Sequence, residues 1–309
     1  MNWKAIARSA IGMSHIKQQM PCQDYGDYKI IDNAIVGVVA DGAGSAKYSD
    51  VGAKLAVNTI LATVTEEDIQ TISELCGSDS FNVEKSKSSI LKPLSIFSRS
   101  NKNSDAAVAV IESNSEPEVK RFFSNIVKQV TIALEKQAET NNYAIDDLAC
   151  TLLIAIATPK GIAAMQIGDG FITVRYPERE PELLFAPDKG EYINETTFVT
   201  STNALKDMKV VIKAGQPEFI CASTDGLERL AIRLSDWTPF SPFFQPLEQY
   251  LRETENLKSD KYLEDFLNSD RLNARTDDEI VNDSLASVIL NFANEMLLAL
   301  TGIISTSPL

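Results

Sequence analysis

AIVGVVADGAG (residues 34–44), AAMQIGDGF (163–171) and EFICASTDGLE (218–228) are three apolar runs that each stop on an Asp-Gly pair. Their β-branched and alanine-rich character is that of buried strands, and a glycine beside the acid lets the backbone turn sharply. Asp41, Asp169 and Asp225 are thereby placed at strand ends, where carboxylates from separate strands can converge. Converging carboxylates repel unless a cation neutralises them, and an all-oxygen cluster suits hard divalent ions such as Mg2+ or Mn2+. The chain reads as built around a metal site.

Outward from these runs, residues 46–64 carry Ala53, Val57, Ile60, Leu61 and Val64 on one helical face, with Ser49 and Asp50 as capping candidates. A second helical pattern over about 118–141 repeats Phe123, Ile126, Val127, Val130, Leu134 and Ala138. The intervening Ser-, Asn- and Lys-rich stretch 73–115 is expected to be a loop-like insertion around a short apolar piece at 106–111. ACTLLIAIA (149–157) and the run from Gly161 flank Thr158-Pro159-Lys160-Gly161 and predict a hairpin. The Pro-, Glu- and Thr-rich residues 176–214, with β-like pieces at 196–200 and 209–213, suggest a flap beside the site, and helices are expected at 227–234, 245–255 and 261–268. Residues 284–305 fit a strand (SLASVIL) and a helix equally well.

Composition narrows the function classes. The 309 residues carry a formal charge of -14, which argues against nucleic-acid binding, since that draws on Lys and Arg against phosphates. Cys22, Cys76, Cys150 and Cys221 form no C-x-x-C pair, so neither a zinc site nor a disulfide framework is expected. The start of the chain lacks an apolar run of signal-peptide length, and residues 284–305 are interrupted by Asn291, Asn294 and Glu295. A cytoplasmic protein with no membrane partner is the expectation.

Five acid-bearing motifs occur in order: PCQDYG with Asp24, VVADGAGS with Asp41, QIGDGF with Asp169, ASTDGLE with Asp225, and RTDDEI with Asp277 and Asp278. Together they resemble the metal-dependent type 2C protein serine/threonine phosphatases (the PPM family), in particular a compact bacterial branch that begins Gly-x-x-His and then Pro-Cys-Gln-Asp, as Gly12, His15 and residues 21–24 do here. The resemblance implies an α+β fold, a four-layer sandwich of two antiparallel β-sheets flanked by helices, with the whole chain 1–309 as one such domain. It implies a two-cation centre of Mn2+ or Mg2+, with Asp41 bridging both ions, the Gly42 carbonyl completing one sphere, Asp225 and Asp278 on the other, Asp24 acting through water and Asp169 at a weaker third site. The implied activity is hydrolysis of phosphoserine and phosphothreonine in proteins, the targets of a Ser/Thr kinase, by a water or hydroxide between the two ions. The chain has no Cys-x5-Arg loop and no Asp-x-Asp-x-Thr, in keeping with a reaction that forms no covalent protein intermediate.

Two departures from the family pattern stand out. Gln19 occupies the place of the phosphate-binding Arg, leaving His15, the single histidine, as the candidate for contacting phosphate or protonating the leaving oxygen, with Lys17 as a weaker phosphate contact. After Asp278 the expected Ser or Thr is missing, so Asp283 competes with Asp278 as the last ligand. Thr151 and Thr224 read as groups that orient backbone or carboxylates. The alternatives to a protein phosphatase are a catalytically impaired pseudophosphatase or phosphoprotein-binding module, and a small-metabolite phosphatase on the same scaffold.

Overall fold

Residues 34–40 are buried along their whole length, which a strand achieves only when both faces of its sheet are covered. The computed structural model, which describes residues 2–11, 13–89, 115–185, 196–257, 261–267, 269 and 285–293, provides both covers. In chain order the elements are β1 (Asn2–Ala10), α1 (Met13–Gln18), β2 (Tyr25–Ile31), β3 (Ala34–Ala40), α2 (Ser49–Thr63), α3 (Glu66–Ser89), α4 (Glu116–Asn141), β4 (Leu152–Thr158), β5 (Gly161–Ile167) and β6 (Phe171–Arg175). They continue with β7 (Glu182–Leu183), α5 (Ala204–Asp207), β8 (Lys209–Ala214), β9 (Phe219–Ser223), α6 (Glu228–Ala231), β10 (Ile232–Arg233), β11 (Thr238–Pro239), α7 (Ser241–Glu253), α8 (Tyr262–Leu267) and β12 (Leu285–Ala293).

Two five-stranded antiparallel sheets form, one in the order β1-β12-β9-β6-β7 and the other β2-β3-β4-β5-β8. Alternation along each strand divides its side chains between two cores. Ile35, Val39, Leu153 and Ala155 face Ile220, Ala222, Val288 and Leu290 of the opposite sheet, while Val36, Val38, Ile154 and Ile156 pack on Val57, Ile60, Phe123 and Leu134 of α2 and α4. On the far side, Phe219, Cys221 and Ile289 meet Phe244, Leu247 and Leu251 of α7 and Leu263 and Leu267 of α8. The expected four-layer α+β sandwich is the observed fold.

Helix α4 shows how the layers are secured. Val119, Phe123, Ile126, Val127, Val130, Leu134 and Ala138 recur every three or four residues and are all buried, and each large apolar side chain so removed from water contributes about 1.5–3 kcal/mol. Asn142 ends the helix in the left-handed region (φ 56), its amide donating to the carbonyls of Ala138 and Glu139, a conformation Asn tolerates better than most residues.

Several expectations are corrected. The stretch 73–115 is not loop-like at its start, because α3 runs on to Ser89. Thr65 and Asp68 exchange hydrogen bonds as a capping box, with the Thr65 amide and hydroxyl donating to Asp68 Oδ2 at 2.9 and 2.8 Å, and Ile69, Ile72 and Cys76 bury one face. Residues 90–114, including the apolar piece at 106–111, lie outside the described residues. Neither Ser49 nor Asp50 caps α2: the N-cap is Tyr48, without a side-chain cap bond, and Ser49 is already helical and buried. The helix expected at 227–234 is one turn, α6, after which the chain enters the β10–β11 hairpin. Residues 196–200 form no strand, and 209–214 are the edge strand β8, so that part of the flap-like excursion belongs to the sheet. The hairpin at 152–167 forms as read, Thr158 opposite Gly161. Residues 285–293 are a strand between β1 and β9, and β1 itself carried no signal that the sequence reading used.

Gly37 sits where the two sheets pack closely: a Cβ there would lie 3.1 Å from Leu290 Cδ1 and 3.2 Å from Val288 Cγ1. Gly37→Val should therefore destabilise the protein by about 1–3 kcal/mol through overpacking, read as a lower urea midpoint; an unchanged midpoint would show that the sheets are not packed this tightly.

Candidate metal centre

Strand register gathers the acids. Tyr25 pairs with Ala40, so the next residues outward on that ladder are Asp24 and Asp41. Phe171 pairs with Ser223, so two steps beyond that ladder lie Asp169 and Asp225. Each sheet thus delivers one acid pair at the same kind of place, just past the last hydrogen-bonded rung, where side chains are no longer committed to alternation.

The Asp41 loop is fixed by its backbone. Its amide donates to Thr151 Oγ1 (3.0 Å), its carbonyl accepts from the Thr151 amide (2.8 Å), and Gly42 bridges to Cys150. The Gly42 amide donates to the Gln23 carbonyl at 3.2 Å, which ties the two acid-bearing segments together. A Cβ at Gly42 would come within 2.8 Å of that carbonyl and of Ser49 Cβ, so only glycine fits.

Asp24 is 3% exposed and Oδ2 has no hydrogen-bond partner. Its carboxyl is held well above the usual range, first by burial and then by the charge of Asp41, with which it is in hydrogen-bond contact; a hydrogen bond from the Thr224 hydroxyl opposes the shift. Thr224 belongs to the other sheet and directly precedes Asp225, so this contact spans the two acid pairs. Thr151 and Thr224 thus orient backbone and carboxylate, as read from the sequence.

Around Asp225 the structure adds an acid that sequence reading missed. Glu228, in the first turn of α6, is pushed up to about 7 by burial and then by the charges of Asp225 and Asp169. The signal was present in the DGLE run, since residues three apart on a helical turn share a face. Asp169 is exposed, and its Oδ2 accepts from Thr196 Oγ1 at 2.6 Å. The turn that presents it needs Gly168 (φ 99), and Gln166 Nε2 donates to the carbonyls of both Gly168 and Gly170 at 2.8 Å.

His15 is 5% exposed on α1, and its carbonyl accepts from the Met20 amide at 2.9 Å. Lys17 and Gln19 on the same short segment are exposed, with Gln19 at φ 56. Asp277, Asp278 and Asp283 lie outside the described residues. Among the described residues no three Asp, Glu, His or Cys side chains form a ready cation cage. What the structure does bring together is the Asp24–Asp41 pair and the Asp169, Asp225 and Glu228 group. The buried Asp24 and the half-buried Asp41 in contact, the first with an orphaned oxygen, make an all-oxygen donor set that fits a hard divalent cation.

Comparison with known proteins gives the family. Residues 11–268 match the family model described as protein phosphatase 2C. Serine/threonine-protein phosphatase 3 of Escherichia coli strain K12 is 30% identical over 287 residues, covering 90% of this chain and 96% of that protein. Among solved structures, the S. agalactiae serine/threonine phosphatase is similar with a TM-score of 0.56 at 12% identity, covering 94% of this chain and 100% of that one. The serine/threonine phosphatase Stp1 from Staphylococcus aureus gives 0.53 at 12% identity (95% and 96%). The catalytic domain of the phosphatase PstP, in complex with two manganese ions, gives 0.51 at 12% identity (94% and 99%). By sequence match over most of its length, and with a fold of the same kind, the chain belongs to the protein phosphatase 2C family.

Proposed function

We propose that this protein hydrolyses phosphoserine and phosphothreonine in proteins phosphorylated by a Ser/Thr kinase. Asp24, Asp41, the Gly42 carbonyl, Asp225 and Asp278 would hold two Mn2+ or Mg2+ ions, with Asp169 at a weaker third site. The observation that carries this reading is the contact of the buried Asp24 with Asp41, the Asp24 Oδ2 having no hydrogen-bond partner. Family membership, the E. coli relative's name and the manganese in the PstP domain support it.

Two divalent cations, when bound, acidify a water and neutralise charge that builds on the phosphoryl oxygens. The protein's part is positional. Thr151 and the Gly42–Gln23 contact hold the Asp41 loop, and Thr224 holds Asp24 across the sheets. His15 would serve as the proton donor to the leaving serine or threonine oxygen. The Cys150 and Cys221 thiols, both pushed up to about 12 chiefly by burial, stay protonated and offer no nucleophile, in keeping with direct attack by water. Gln19 in place of the phosphate-binding Arg favours a second reading, a phosphoprotein-binding module with little turnover.

Purified protein should release phosphate from a phosphopeptide only with added Mn2+ or Mg2+, and Asp41→Asn or Asp225→Asn should lower kcat by roughly a thousandfold or more. Within that assay His15→Gln should slow phosphopeptide turnover about a hundredfold and an aryl phosphate with a good leaving group far less. Turnover that needs no metal and survives both Asp changes contradicts the proposal, while metal binding without any turnover selects the binding-module reading.

The acid cluster also predicts a pH effect. Glu228 binds its proton more tightly folded than unfolded, so its contribution to stability is present below its ordinary value of 4.5 and is lost as pH rises through about 7. In metal-free protein, Glu228→Gln should gain in melting temperature relative to the parent across that window, and Mg2+ should shrink the gain. A difference that does not vary with pH would contradict the clustering.

A further inference from the structure

Residues 196–201 touch three segments beside the site: the Asp169 turn, the loop after Asp41 and the segment ahead of β4. Thr196 Oγ1 donates to Asp169 Oδ2 at 2.6 Å. Phe198 packs on Ala43 and Ala46, in the loop after Asp41, and on Ala149, ahead of β4. The Val199 amide donates to the Cys150 carbonyl at 2.8 Å, next to the Gly42–Cys150 bridge, and Val199 is buried. The Phe198 amide donates to Ser201 Oγ at 3.2 Å and the Ser201 amide returns to the Phe198 carbonyl at 3.0 Å, closing the turn. Thr197 faces elsewhere, its hydroxyl donating to Asp207 Oδ2 at 3.1 Å.

Asp169 differs from Asp24 in being exposed, so packing does not select its rotamer. It also stands within electrostatic reach of Glu228, whose proton affinity it raises, and like charge drives an exposed carboxylate outward into water. A hydroxyl donor on Oδ2 opposes both tendencies, because it fixes where the carboxylate points.

We propose that Thr196 is a positioning residue for Asp169: anchored through Phe198 and Val199 to the Asp41 loop, it holds the Asp169 carboxylate in line with Asp225 and so sets the affinity of the weakest cation site. This rests on the reading of Asp169 as a ligand of that site. The excursion between β6 and β8 then acts on metal occupancy through one hydrogen bond.

Calorimetric titration of the full chain with Mn2+ alone tests it, with phosphopeptide turnover measured in parallel. Thr196→Val should weaken the weakest class of Mn2+ sites roughly 3- to 10-fold, the loss expected for one hydrogen bond, and leave the tighter class unchanged. Thr196→Ser should restore the parent behaviour, and Thr197→Val should match the parent. Equal binding by the parent and Thr196→Val, equal losses in Thr196→Val and Thr197→Val, or a weak class that persists in Asp169→Asn would each overturn the proposal. Mn2+ binding that follows the expected pattern in a protein without turnover would sink the phosphatase reading and leave this one standing.

Discussion

Two carboxylates at neighbouring strand ends, the buried Asp24 and the half-buried Asp41, are in contact, and the arrangement is costly unless something neutralises them. Repulsion between like charges in a low-dielectric setting would push the strand ends apart if the backbone could yield. It cannot yield easily, because the antiparallel rung between Tyr25 and Ala40, the Gly42–Gln23 hydrogen bond and the paired Asp41–Thr151 contacts lock both segments. The electrostatic cost is thus held in a rigid frame and, on the proposed reading, would be returned as affinity for a divalent cation. Thr224 extends the constraint to the opposite sheet, so the second acid group, Asp169, Asp225 and Glu228, is held in register with the first.

The four layers make that frame stiff. Strands β3 and β4 are buried on both faces, so displacement of a strand end has to work against two cores at once. The ends that carry acids are freed from side-chain alternation by glycine or by leaving the ladder, and this is why a packed apolar sandwich can end in a polar pocket. The excursion after β6 divides its roles: β8 completes the second sheet, and residues 196–201 lie against the acid-bearing loops.

Much of this was legible in the sequence because the decisive strands are long in apolar content and end on Asp-Gly. β3, β5 and β9 and the β4–β5 hairpin were placed from period and turn chemistry, and the amphipathic α2 and α4 from their 3.6-residue stripes. Other parts were hidden for physical reasons. β1 mixes Lys4, Arg8 and Ser9 with apolar residues because it is an edge strand, and so reads as neither strand nor helix. The later part of α3 is so rich in Ser, Asn and Lys that its composition reads as a loop, although the Thr65–Asp68 box marks its start. β12 fits two periods, and only its place between β1 and β9 decides for the strand. Glu228 was overlooked because its meaning lies in a charge neighbourhood, which pattern along the chain does not display.

On the proposed reading, the acid pairs of the two sheets share one cation centre. Anomalous X-ray scattering from crystals grown with Mn2+ tests it most directly. The account predicts two strong manganese peaks at the Asp24–Asp41 strand ends, one of them also touching Asp225. Manganese bound only elsewhere on a protein that nevertheless dephosphorylates its substrate would contradict it.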